Sequence, residues 1–187
     1  ENTTCNPDDP WFADAGNWLP LRTFTNYPQP GDAPIVFDFR EVTAGCVRVL
    51  GTELSQDDYG NRYFQLNQME AYQDNTRRDF ESVAASSALP DWPVSSVLSA
   101  GGSWSSNGHA EHLVAAEWIV GLFDAPTVVN GLRLSPRASG ETALGFPSSF
   151  VIQYSHEGEN TTCNPDDPWF ADAGNWLPLG TFTNYPQ

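Results

Sequence analysis

His109 and His112, three residues apart with Glu111 between them, are residues whose types could do chemistry in this 187-residue chain. Imidazole and carboxylate together raise the question of zinc. The zinc-protease pattern H-E-x-x-H sets its histidines four apart on one helical face, with the glutamate directly after the first. Here the spacing is three and no helical period surrounds it, so the pair does not read as a transition-metal site. The acidic turns Asp8-Asp9 and Asp57-Asp58 carry the hard oxygen donors that calcium takes, and read equally as solvated turns. The chain has no G-x-S-x-G elbow, no Walker loop and no dinucleotide-binding glycine pattern. Its motifs point to no enzyme.

The remaining reactive candidates are three cysteines, and their reading depends on a repeat. Residues 1–29 return at 159–187 with 28 of 29 positions identical, the one change being Arg22 to Gly180. The unique unit is therefore 158 residues, the size of a domain rather than of a solenoid turn. The chain reads as one period of a tandem array plus the start of the next; an engineered permutant with overlapping ends is the alternative, and the Arg/Gly difference favours drift between natural repeats. Cys5 and Cys163 are one position seen twice, so each unit holds two cysteines, the other being Cys46. An even pair in an extracellular setting reads as a disulfide from Cys5 to Cys46, worth roughly 4 kcal/mol on the chain-entropy model. Asn2 and Asn160 head N-T-T glycosylation sequons beside that cysteine, which suits an exported surface.

Charge narrows the partners. Against 24 acidic residues stand 8 basic ones, all arginine, for a net −16. Removing the four acids of the second copy leaves −12 per unit. Phosphate-backbone binders carry a basic face, so nucleic acid is excluded. No apolar run reaches the roughly 20 residues of a membrane span. No signal peptide opens the chain, so any export signal is expected to have been removed or to lie outside it. An acidic, lysine-free surface suits high salt, where repulsion is screened. Arginine bias from a GC-rich genome explains the missing lysine equally well.

The elements that must position these residues have the period of strands. Ser149–Ser155 alternates so that Phe150, Ile152 and Tyr154 share a face. Val128–Ser135, Ile35–Phe39 and Cys46–Leu50 are short apolar or alternating runs. Arg62–Tyr72 reads as a strand with Tyr63, Gln65, Asn67 and Met69 opposite Phe64, Leu66 and Gln68. Turn signals fall at Pro30-Gly31-Asp32, Asn130-Gly131, Ala138-Ser139-Gly140 and Glu157-Gly158. Fifteen glycines, fifteen prolines and no sustained helical period predict an all-β sandwich, with at most a helical turn in Arg78–Ser87.

Several segments resemble one family. Ala85-Ser86-Ser87 followed by Val97–Ser106 resembles the opening of a discoidin domain, also called the coagulation factor 5/8 type C domain, which overlaps family 32 carbohydrate-binding modules. Glu117–Leu122 is similar to its E-W-I-x-V-D-L strand, followed by Val129–Leu134. Phe146–Phe150 through Ser155–Gly158 is similar to its F-P-x-x-F…S-x-D-G segment, and Val47–Val49 with Leu66–Tyr72 resembles its last two strands. The resemblance covers nearly the whole unit, but in permuted order: the closing strand at 62–72 precedes the opening motif at 85–106. It implies a circularly permuted jelly-roll β-sandwich. Residues 1–74 would be the C-terminal half of one repeat and 75–187 the N-terminal part of the next, with 74–84 as connector. We expect the two halves to pack in two different beads, the alternative being a self-contained permuted domain.

The resemblance also implies sites. Sugar-binding members use a histidine after the opening tryptophan and Arg-x4-Asn before the F-P segment. The matching stretches here hold His109 and His112, then Arg137 with Thr142 in place of the asparagine, a change that argues against galactose-like specificity. Tyr59 and Trp92 would be the stacking platforms. Many members also hold a structural calcium ion through an Asp-Gly step and a glutamate in the final strand. Glu70 matches that glutamate, while Ser99-Ala100-Gly101 lacks the aspartate, so the calcium site would be weakened. Two functions follow, both non-catalytic and extracellular. In the first the unit is a bead of a self-associating surface filament or adhesin, its partners being neighbouring copies of itself. In the second it is a module that binds surface glycans.

Overall fold

The computed structural model describes residues 19–25, 33–56, 60–110, 117–139 and 142–154. These residues are all-β, and every ladder between them is antiparallel. The strands are β1 (Leu19–Phe24), β2 (Ile35–Glu53), β3 (Gln65–Gln73), β4 (Thr76–Arg78), β5 (Ser82–Ala85), β6 (Trp104–Ser105), β7 (Glu117–Ser139), β8 (Thr142–Leu144) and β9 (Ser149–Tyr154). Among the described residues a 3-10 helix, Val94–Leu98, interrupts them. The main order is β1-β9-β2-β7-β3-β4, with β5 and β8 on β7 and β6 on β3.

Two long strands organise the sandwich-like arrangement. Ile35–Phe39 and Cys46–Leu50, read from sequence as separate runs, are the two ends of β2. β2 follows β7 for almost its whole length, with register shifts between Asp38 and Val42 and between Ala44 and Cys46. Such bulges let a long ladder bend without losing its partner. At one end Cys46–Gly51 and the start of β7 are flanked by β9 and β5. At the other end Ile35–Asp38 and the later part of β7 are flanked by β3.

The core between these ends is aromatic. Phe150 stacks on Phe24 with centroids 4.5 Å apart, and meets Phe146 edge-on at 5.4 Å and Phe37 at 5.7 Å. Phe146 passes the contact to Phe64, and Phe64 to Trp104 at 5.2 Å. As expected, Phe150, Ile152 and Tyr154 all face this core. In β3 the expected face holds only halfway. Phe64 and Leu66 are buried, then Met69 and Ala71. A register shift between Leu66 and Gln68 swaps the parity, as one extra residue in a strand must.

Three expectations are corrected. Asn130-Gly131 is not a turn but lies within β7, where Gly131 pairs with both Asp38 and Tyr72. The segment expected to turn as helix, Arg78–Ser87, instead closes β4 and forms β5. The two halves do not pack in different beads among the described residues. β3 is laddered to β7, and β2 to β7 and β9 of the same chain, so the self-contained alternative holds.

The reason sits at residue 74 itself. Asp74 and Asn75, at φ 48° and 66°, make the two-residue turn that folds β4 back onto β3. A turn this tight leaves its flanking strands no room to part. Asn130 clasps it, accepting from the Asp74 N–H at 3.0 Å and donating to its carboxylate at 2.8 Å. Asn75→Val should cost about 1–2 kcal/mol, since a branched side chain resists positive φ, whereas Asn75→Gly should be neutral or stabilising. Urea denaturation of the two variants checks the sign.

Candidate functional site

Among the described residues a dense polar cluster is built where β5, β7 and the strand leading out of β6 meet. Glu117 opens β7 and is only 3% exposed. Ser86 and Ser87 follow β5, which is tied to β7 through the Ser86 N–H to the Trp118 carbonyl at 3.0 Å. Beyond β6 the chain continues along Arg62–Phe64, and Arg62 and His109 exchange both backbone hydrogen bonds, at 2.8 and 2.9 Å. Three segments thus converge on one carboxylate. Ser87 donates to both Glu117 oxygens at 2.8 Å, and Ser86 donates to Oε2. His109 Nε2 lies 2.7 Å from Oε1.

The serines are held in turn. Ser86 Oγ accepts from the Trp118 N–H at 2.8 Å, and Ser87 Oγ from the Asn107 N–H at 2.9 Å. The Trp104 indole donates to the Ser87 carbonyl at 3.0 Å. A buried carboxylate is tolerated only when hydrogen-bonded, and this one has three side-chain partners. The order of groups matters for chemistry. In a hydrolytic triad the imidazole stands between serine and acid and takes the serine proton. Here the acid stands between serine and imidazole, which is not the order of that triad. The cluster fastens three strands' ends together.

A second polar chain centres on Gln65, the first residue of β3. Gln65 donates to Ser105 Oγ at 2.9 Å and accepts from the Arg137 guanidinium at 3.1 Å. That guanidinium lies over the Trp92 ring, 4.3 Å from its centroid, in cation–π geometry. Gly145, at φ +65°, lets the loop after β8 pass so close to Gln65 that a Cβ there would sit 2.7 Å from its Cγ. Only glycine fits both that conformation and that gap.

The residues expected from sequence are therefore distributed as follows. His109 is tied to Glu117, and Arg137 and Trp92 are tied to each other. Thr142 closes the β7–β8 hairpin by pairing with Ser139. Glu70 accepts from Arg77 at 2.9 Å and from Tyr72 at 3.1 Å, with Arg133 at 3.7 Å. Burial, then the bond to Glu70, pushes the Tyr72 phenol above its ordinary pKa. Among the described residues no three His, Cys, Asp or Glu side chains converge as a metal site would require. Cys46 is fully buried within β2. Its expected partner Cys5 lies outside the described residues, as do Cys163, Asn2, Asn160, Tyr59, His112 and the acidic turns at 8–9 and 57–58.

Sequence reasoning missed Glu117, Ser86 and Ser87 as a unit. They stand about thirty residues apart, and only the β5–β7 register brings them together. The one sequence signal was an acid heading the otherwise apolar run Trp118–Leu122. Arg48 was missed too. It is 1% exposed and donates to Gln153 from Nε at 3.1 Å and from an NH2 group at 2.8 Å. Burial pulls its guanidinium well below its ordinary pKa, with Cys46 opposing that shift. No family model matches the chain, and no curated protein matches it.

Proposed function

We propose that this chain is a non-catalytic, extracellular bead of a tandem array whose units associate with one another, a discoidin-like jelly roll in permuted order. One observation carries the reading. Strand β1, which completes the sheet beside β9, belongs to the segment that recurs 158 residues later almost unchanged. A unit whose own edge strand is also the opening of the next unit is made to be strung. Its polar clusters support the same reading. Glu117 with its serines and His109, and Arg137 with Trp92, spend their groups on internal contacts that rigidify the bead.

Sedimentation over a wide concentration series tests association. The expected result is a mass that rises with concentration above the 20.6 kDa of one chain. A single 20.6 kDa species at every concentration overturns it. The glycan-binding reading rests on the Arg137–Trp92 pair, where an aromatic ring and a guanidinium stand together. A hit on a glycan array that is lost in Trp92→Ala would replace the structural reading with that one.

A further inference from the structure

We propose that Asn107-Gly108 is a modification site at which the chain deamidates without an enzyme, and that the isoaspartyl product loosens His109 from Glu117. The chain holds two Asn-Gly steps, at 107–108 and 130–131, and the fold treats them oppositely.

The reaction sets the requirements. The Gly108 amide nitrogen, having lost its proton, attacks the side-chain carbonyl carbon of Asn107. The bond from that carbon to the side-chain nitrogen breaks, ammonia leaves and a cyclic imide remains. Water opens the ring at either carbonyl, giving aspartate or isoaspartate, so asparagine and water become acid and ammonia. The attack needs a backbone nitrogen outside a ladder, a carboxamide free to turn, and a following residue with no Cβ to obstruct it.

Asn107 meets all three. Gln65 pairs with Ser105 and Arg62 with His109, so one side of this ladder carries an extra residue. That is a bulge, and the extra residue drops out of the pairing. The Asn107 N–H turns to Ser87 Oγ at 2.9 Å. Among the described residues neither the Gly108 N–H nor the Asn107 carboxamide has a hydrogen-bond partner, and both residues are exposed. Asn130 has the following glycine and nothing else. Gly131 is buried and laddered to Asp38 on one side and Tyr72 on the other. Asp74 engages the Asn130 carboxamide at both its oxygen and its nitrogen, at 3.0 and 2.8 Å. Cyclisation there requires the sheet to open first.

The product matters because the bulge has no slack. Isoaspartate carries the main chain through the former side chain and so adds one atom between two fixed points. On one side the Ser106 N–H donates to the Phe64 carbonyl at 2.9 Å, and on the other Arg62 and His109 exchange both backbone bonds. Gly108 lies so near Tyr63 that a Cβ would sit 2.7 Å from its Cε1, so the loop cannot fold the extra atom inward. Ser106 is fully buried, whereas the His109 side chain is 17% exposed, so His109 is the end that gives. Its imidazole then leaves the Glu117 carboxylate.

Timed incubation at mildly alkaline pH, of the native chain and of the chain unfolded in urea, tests the site by peptide mapping with mass spectrometry. Natively, Asn107 should convert within about threefold of its own unfolded rate, and Asn130 at least about tenfold slower than its own. Equal slowing at both steps, or faster conversion at Asn130, overturns the site. Asn107→Gln, whose longer side chain closes the ring poorly, should leave that peptide unconverted; conversion there at the native rate also overturns it. Thermal unfolding tests the consequence. The isoaspartyl chain should melt about 2–5 °C below the fresh one, while Asn107→Asp, with the same charge and an ordinary backbone, should stay within about 1 °C. In a His109→Ala chain, where the contact is already gone, the same conversion should lower the midpoint by distinctly less. An isoaspartyl chain that melts with the fresh one, or an equal loss in the His109→Ala chain, overturns the loosening of His109.

Discussion

Replacing Glu117 with alanine should lower the stability of the fold by about 2–4 kcal/mol, or roughly 5–15 °C in melting temperature. The side chain is 3% exposed and accepts from Ser86, Ser87 and His109. Removing it leaves those donors facing one another in a site from which water is largely excluded. A buried donor without an acceptor loses its full hydration, and that loss exceeds what a hydrogen bond contributes when made. Glu117→Gln keeps the shape but turns one acceptor into a donor, so it should cost about 1–2 kcal/mol. The coupling is separable from simple loss of volume. In a Ser86→Ala/Ser87→Ala background, where two of the donors are gone, Glu117→Ala should cost distinctly less than in the native chain. Equal cost in the two backgrounds would show that the cluster does not act as a unit.

The second large effect belongs to the aromatic core. Phe150→Ala should destabilise by about 3–5 kcal/mol, and Phe150→Leu by less than about 1.5. Phe150 is fully buried and touches Phe24, Phe37 and Phe146, which come from three different parts of the chain. Alanine would leave a cavity that three rings, held in β1, in β2 and in the loop between β8 and β9, cannot all move to fill. Val36, exposed by 54% on β2, is the control. Val36→Ala should change stability by no more than about 0.5 kcal/mol. Chemical denaturation of the three variants gives the comparison. A Phe150→Ala cost as small as that of Val36→Ala would mean that this contact chain does not hold the sheet together.

The sequence by itself determined the class of fold, because side-chain alternation is a local property of an extended chain. Phe150, Ile152 and Tyr154 could be assigned to one face before any partner strand was known, and they face the core. The repeat and its period also needed only the letters. What the letters left open was everything that depends on register. Nothing local marks the extra residue between Leu66 and Gln68, yet it moves Met69 and Ala71 onto the core face. Asn130-Gly131 has the composition of a turn, but its neighbours on both sides, β2 and β3, hold it extended. Asp74-Asn75 looked like a place for a domain to end, and is a hairpin turn clasped by Asn130. His109 was singled out for chemistry, while the carboxylate that engages it was not. The bridge between Arg62 and His109 places the imidazole at that carboxylate, and the β5–β7 ladder brings Ser86 and Ser87 to the same group. A strand's own residues set which of its faces is apolar, but which distant groups meet across it is set by pairing, and pairing is decided by the whole sheet.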